Sequence, residues 1–229
     1  MLKKQLLHIY RALRGKSPFI KKSIHIESDW LGSKNGGFFV HTNLLKSDSI
    51  VYSFGIGEDI SFDQQLMNQC KCTVHGFDPT PRSIDWVRKN VNSEQFIFEP
   101  LGISHESGNI DFFLPKNNAH VSGSLSSNSI TDEQQKISVP VKTLADIVKD
   151  KQHQHIDLLK MDIEGAEYDV IPNILASGIE IKQVLVEFHH RLYPNGNNKT
   201  KNAIEQMKAH GYEVFAISDL TEEISFIKK

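Results

Sequence analysis

The sequence predicts an α/β protein, a twisted and mostly parallel sheet wrapped by helices, and three observations carry that expectation. From Ser49 onward, short apolar runs alternate with stretches of helical spacing. Glycines, carboxylates and histidines fall just after the apolar runs, where a parallel sheet places its ligands. Two last runs are spaced to pair as an antiparallel hairpin, which such a sheet tolerates at one edge.

The elements follow in order. Met1 to Lys16 is basic and carries Leu2, Leu6, Ile9, Tyr10 and Leu13 at helical spacing. Charges interrupt it, so it is neither a signal-peptide core nor a membrane span. An amphipathic helix lying on the domain is expected, with peripheral membrane contact or partner binding as the alternatives. Residues 1–48, including the glycine-rich Gly32–Gly37, form a helical and loop extension. Residues 49–229 form one globular unit, a length that suits a single core.

Within that unit, Ser49–Phe54 reads as a strand and Phe62–Gln69 as a helix. Cys72–Phe77 is the next strand, and Arg82–Val91 a helix carrying Ile84, Trp86 and Val87. Phe96–Phe98 and Ile110–Leu114 are further strands. Asn117–Gln135, dense in Ser, Asn and Gly, reads as a long loop. Val139–Val148 begins extended and turns helical near Leu144. The apolar strand Ile156–Ile163 precedes a helix over Ala166–Ala176, and the strand Val184–Phe188 a helix over Thr200–His210. Tyr212–Ile217 and Ile224–Lys228 close a hairpin.

Composition narrows the function classes. A net charge of −2 gives no global attraction to nucleic acid or to an anionic surface. Cys70 and Cys72 stand too close for a good disulfide and have no second pair with which to hold zinc. Two reduced thiols suit a cytoplasmic protein.

The chemistry gathers at strand ends. Val51-Tyr52-Ser53-Phe54-Gly55-Ile56-Gly57-Glu58-Asp59 runs from a strand through Gly-x-Gly into a helix, so the backbone turns sharply and a ligand can approach it. The next strand ends at Asp78, where a carboxylate accepts hydrogen bonds from ribose hydroxyls. Together they describe an adenosine site. A dinucleotide is disfavoured: Ile60 replaces the third glycine, and Glu58 and Asp59 stand where a diphosphate would meet the helix N-terminus. S-adenosylmethionine is cationic and has no phosphate, so the charge argument selects it. Helix capping is the alternative reading of Glu58 and Asp59.

Asp162 and Glu164 follow the strand beside that site, on alternate positions that share one side of an extended chain. His189 and His190 follow the next strand, and a histidine suits proton removal near neutral pH. A metal held by Asp162, Glu187 and His189 is set aside, because the residues form no recognised ligand motif. No metal is expected.

The segments Tyr52–Asp59 with Phe62-Asp63, His75–Pro79, Leu159–Glu167 and Val186–His189 resemble the FkbM-type methyltransferases, over approximately Ser49 to His190. The resemblance implies a Rossmann-like class I methyltransferase fold with a mostly parallel seven-stranded sheet and a C-terminal antiparallel hairpin, S-adenosylmethionine as donor and O-methylation as the reaction. Carried over by position, Gly55 and Gly57 line the donor loop, Asp78 holds the ribose, and Asp162 and Glu164 lie by the methyl and the acceptor. Ser53 stands where many members have an acid, and Glu58 or Asp59 would compensate. The base is expected to be His189 first and Asp162 second. The acceptor expected by analogy is a sugar of a surface polysaccharide or another small hydroxylated metabolite. A nicotinamide-dependent oxidoreductase and a non-catalytic S-adenosylmethionine-binding module are the competing readings.

Overall fold

The computed structural model describes residues 10–115 and 131–229. Its main sheet has seven strands: β3 (Ile50–Phe54), β4 (Thr73–Phe77), β5 (Phe96–Glu99), β9 (His155–Met161), β10 (Glu180–Glu187), β11 (Tyr212–Ile217) and β12 (Glu223–Lys228). Their spatial order is β11-β12-β10-β9-β3-β4-β5. All neighbours from β10 to β5 are parallel, and β12 runs antiparallel to both β10 and β11. This is the mostly parallel seven-stranded α/β sheet with a terminal antiparallel hairpin, as expected.

These runs become central strands because both faces of each are covered. Tyr52 and Phe54 of β3, Leu159 and Met161 of β9, and Val184 and Val186 of β10 enter one core cluster. Val51, Leu158 and Leu185, one position out of step, enter the cluster on the opposite face. Burial of each such side chain contributes about 1.5–3 kcal/mol. Helices α1 (Ser61–Cys70), α2 (Pro81–Asn90), α3 (Leu144–Asp150), α4 (Glu167–Ala176) and α5 (Gly196–Ala209) make the crossovers. Helix α2 starts with Pro81, whose missing N–H costs nothing at that position.

Three features depart from the sequence expectations. The extension contains a hairpin as well as helix and loop: β1 (Asp29–Leu31) pairs with β2 (Phe38–Val40) around Gly32–Gly37. A small sheet, β6 (Gly102–Ile103), β8 (Thr131–Lys142) and β7 (Gly108–Pro115), lies between β5 and α3 in the chain. Residues Thr131–Gln135 therefore belong to β8 and not to the expected loop, whose remaining residues lie outside the described ones. The third departure is at β9, which ends at Met161, two residues before the expected end. Met1–Ile9 also lie outside the described residues; the following Tyr10 and Leu13 are exposed.

Strand order reverses between β3 and β9, which lead away in opposite directions along the sheet. A crevice opens at the carboxyl ends of strands at such a point.

Candidate active site

Three strand ends are tied together at this switch point. The Gly55 N–H donates to Phe77 O at 3.0 Å, and the Asp162 N–H donates to Phe54 O at 3.1 Å. Gly55 has φ +79°, and a Cβ built on it would lie 1.6 Å from the Asp162 carbonyl oxygen. No other residue fits there, because the loop after β3 packs directly on the backbone after β9. Gly57 also takes a positive φ, +58°.

Asp78 organises this loop from the next strand. Its Oδ2 accepts from the Ile56 and Gly57 N–H groups at 3.1 and 2.9 Å. Its Oδ1 accepts from the Thr80 N–H at 2.9 Å and the Thr80 hydroxyl at 2.7 Å. The Ser83 hydroxyl donates to Gly57 O at 2.7 Å and steadies the loop from α2.

Glu58 and Asp59 are placed differently from the charge argument made on the sequence. Glu58 forms a two-point ion pair with Arg82, whose Nε and Nη2 donate at 2.9 and 2.8 Å. Asp59 caps α1, accepting from the Ser61 N–H at 2.8 Å. Partial burial works against its charge, but hydrogen bonds from Ser61 and Ser33, with Lys160 nearby, hold its carboxyl below the usual range. The helix-capping reading therefore describes Asp59. Ser53 is wholly buried inside β3 and has no surface to offer a ligand.

The acidic character of the crevice comes from the end of β9 and the end of β10. His189 Nε2 lies 3.3 Å from Glu164 Oε2, 3.6 Å from Asp162 Oδ1 and 3.6 Å from Glu187 Oε1. Its Nδ1 lies 3.4 Å from Glu167 Oε1. Strand alternation does not bring Asp162 and Glu164 together, since the strand has ended. A turn does: Glu164 adopts φ +52° and Gly165 φ +102°, conformations that cost a non-glycine residue roughly 1–3 kcal/mol and gather at functional sites. The side chains of Asp162 and Glu164 keep 25% and 19% of their surface, whereas His189 keeps 1%.

Burial alone would lower the His189 pKa, but Glu167, Glu164 and Glu187 override it and push it up to about 10. Burial, and then Asp162, raise that of Glu187. Asp162, Glu164 and His189 each present a ligand atom within 4.8 Å of the others, so these three could hold a metal ion. His190, the other histidine of the pair, is buried elsewhere, and burial lowers its pKa.

A family model for the methyltransferase FkbM domain matches residues 50–214. The chain belongs to this family. "Probable methyltransferase-like protein 24" of Rattus norvegicus is 25% identical over 162 residues, 70% of this chain and 38% of that protein. 2-O-methyltransferase NoeI of Sinorhizobium fredii is 30% identical over 142 residues, 56% of this chain and 58% of that one. The chain thus spans about a third to somewhat over half the length of these curated relatives. Among solved structures, methyltransferase FkbM from Methylobacillus flagellatus aligns with a TM-score of 0.49 at 10% identity, covering 80% of this chain and 44% of that one. An Aeropyrum pernix fibrillarin with bound S-adenosyl-L-methionine aligns at 0.40 and 12% identity, covering 80% and 66%.

Two residues of this FkbM domain carry more of the site than the sequence reading gave them. Lys160 is buried within β9, and its Nζ donates to Gly55 O at 2.6 Å from beneath the loop. A lysine flanked by Leu158, Leu159 and Met161 was the available signal, since a buried ammonium needs a built partner. Glu167, the first residue of α4, is wholly buried and accepts from the Gly165 N–H at 2.8 Å and the His189 N–H at 2.7 Å. It joins the β9 turn to the β10 end. Its spacing from His189 carries no pattern, so only the fold reveals the pair.

Proposed function

We propose that this chain transfers a methyl group from S-adenosylmethionine to a hydroxyl of a small-molecule or glycan acceptor. The observation that carries the reading is the switch-point crevice, where the Gly55–Gly57 loop abuts the carboxylates of Asp162 and Glu164. Those carboxylates favour a sulfonium and an ammonium and repel a diphosphate. They take over the role expected of Glu58 and Asp59, and they weigh against a nicotinamide dinucleotide.

Gly55 and Gly57 line the donor, and Asp78, expected from the sequence to hold the ribose, instead acts through the loop, because Ile56, Gly57 and Thr80 occupy its acceptor positions. In the reaction the acceptor oxygen attacks the methyl carbon as the carbon–sulfur bond breaks, and the electron pair leaves with a neutral thioether. The sulfonium supplies the activation, so the chain mainly aligns the partners. The hydroxyl proton passes to the carboxylates of the β9 turn. Asp162 and Glu164 are open enough to touch an acceptor. His189 is enclosed behind them and acts as a positioning residue, which reverses the order expected from the sequence.

The relative named 2-O-methyltransferase supports an oxygen acceptor. Tyr193 donates to Gly165 O at 3.2 Å, beside the β9 turn. The free thiols of Cys70 and Cys72 agree with a reducing cytoplasm, and among the described residues no helix is long and apolar enough to cross a membrane.

Separate calorimetric titrations with S-adenosylmethionine and NADH test the reading. Saturable binding of the first alone is expected; binding of NADH alone overturns it. Donor binding with no methyl turnover on any hydroxylated acceptor would leave the binding module as the answer.

A further inference from the structure

We propose that Asp162, Glu164 and His189, backed by Glu187, form a binding site for one divalent transition-metal ion. Nothing in the family match or the relatives' names assigns such a site, and on the sequence a metal held by Asp162, Glu187 and His189 is set aside.

The argument starts from His189. Its side chain is 1% exposed, and neither ring nitrogen has a hydrogen-bond partner among the described residues. Yet the ring is not loosely placed. Glu167, fixed by the N–H groups of Gly165 and His189, sets a carboxylate oxygen 3.4 Å from Nδ1. A carboxylate beside Nδ1 orients the ring and holds a proton on that nitrogen. Nε2 lies beside oxygens of Glu164, Asp162 and Glu187, at 3.3, 3.6 and 3.6 Å. Carboxylates gathered around one ring nitrogen need a positive charge among them; a ring proton supplies it without the metal, and a divalent ion that displaces this proton supplies it when bound.

The spacing fits such a cation. Ligands bonded to an ion at about 2.0–2.2 Å lie about 3–3.5 Å apart around it. One imidazole nitrogen with two or three carboxylate oxygens is a mixed set that suits Mn²⁺, Fe²⁺ or Zn²⁺ better than Mg²⁺. Glu167 behind Nδ1 supplies the outer carboxylate that orients a ligating histidine. Asp162 and Glu164 remain partly open, so the ion would keep a face toward the crevice. If the methyl-transfer reading holds, an acceptor hydroxyl on that face would lose its proton more readily. That role rests on the reading above; the site itself does not.

The test uses the full chain, stripped with a chelator, and Mn²⁺ alone with neither donor nor acceptor present. Electron paramagnetic resonance and calorimetry should report one saturable Mn²⁺ per chain. Asp162→Asn and Glu164→Gln, both at partly exposed positions, should each weaken it about tenfold or more, and His189→Gln likewise. Circular dichroism identifies any variant that does not fold, and the two carboxylate variants then decide. Absence of saturable binding up to about 1 mM overturns the site, as does equal affinity in the folded variants. A chain that binds Mn²⁺ but not S-adenosylmethionine would keep the site and sink the methyltransferase reading; the reverse result separates them the other way.

Discussion

Gly55 has the least freedom of any residue in the crevice. A methyl group there would need a positive φ and would overlap the Asp162 carbonyl. Gly55→Ala is therefore expected to lower stability by about 2–4 kcal/mol and to weaken donor binding at least tenfold, read by denaturant unfolding and calorimetry. Lys160 is the second such residue. Burial raises the Asp63 pKa and the Lys160 charge opposes that rise, so the two charges support each other in the interior. Lys160→Met should cost about 3–5 kcal/mol, and adding Asp63→Asn should recover part of the loss. A double variant no more stable than the single one would show that the pair is not coupled. At this scale Gly55 was legible in the sequence, because Gly-x-Gly after an apolar strand has few other uses. Glu58 was not, since its partner Arg82 lies 24 residues away on another helix.

Helices and strands show the same division. The central strands were readable because burial on both faces forces a continuous apolar run, as in Val184–Val186. The β1–β2 hairpin and β6 were not, because a two- or three-residue strand has no periodicity of its own, whereas β7 was read as Ile110–Leu114 and the last part of β8 as the extended start at Val139. The end of β9 was misplaced by two residues because Ile163 extends the apolar pattern into a turn that the Gly55 packing enforces. Helix α3 offers a local test. The Thr143 hydroxyl oxygen accepts from the Asp146 N–H at 3.1 Å at the helix N-terminus. Thr143→Ala should lower the unfolding free energy by about 1 kcal/mol without changing donor affinity. A loss well above 2 kcal/mol would mean that Thr143 does more than cap.

Across the whole molecule, acid sensitivity follows from two histidines packed under the far end of the sheet. His75 lies between Tyr52 and His153, with ring centroids 5.5 and 5.2 Å away. Burial, then Lys151 and His153, lower its pKa to about 4, with only Glu99 opposing. His153 is lowered by burial, Lys151 and His155, and its Nδ1 pairs with the Tyr52 hydroxyl at 2.7 Å. Both groups are neutral when folded and titrate near 6.5 when unfolded. The unfolded chain thus takes up protons first, so this contribution is full above about pH 7 and is lost as pH falls from about 6.5 toward 4. Unfolding midpoints measured from pH 4 to 8 should follow this course, and His75→Gln should flatten it. The fold class was legible at this scale because alternation along the chain records sheet topology, whereas histidine packing depends on neighbours distant in sequence.

The order of the sheet also governs how the chain is made. β12, encoded after β11, is inserted between β11 and β10. During synthesis, β10 therefore presents an open apolar edge until residue 228 has cleared the ribosome tunnel. A nascent chain halted after β11 is a candidate for chaperone capture and strand-exchange aggregation.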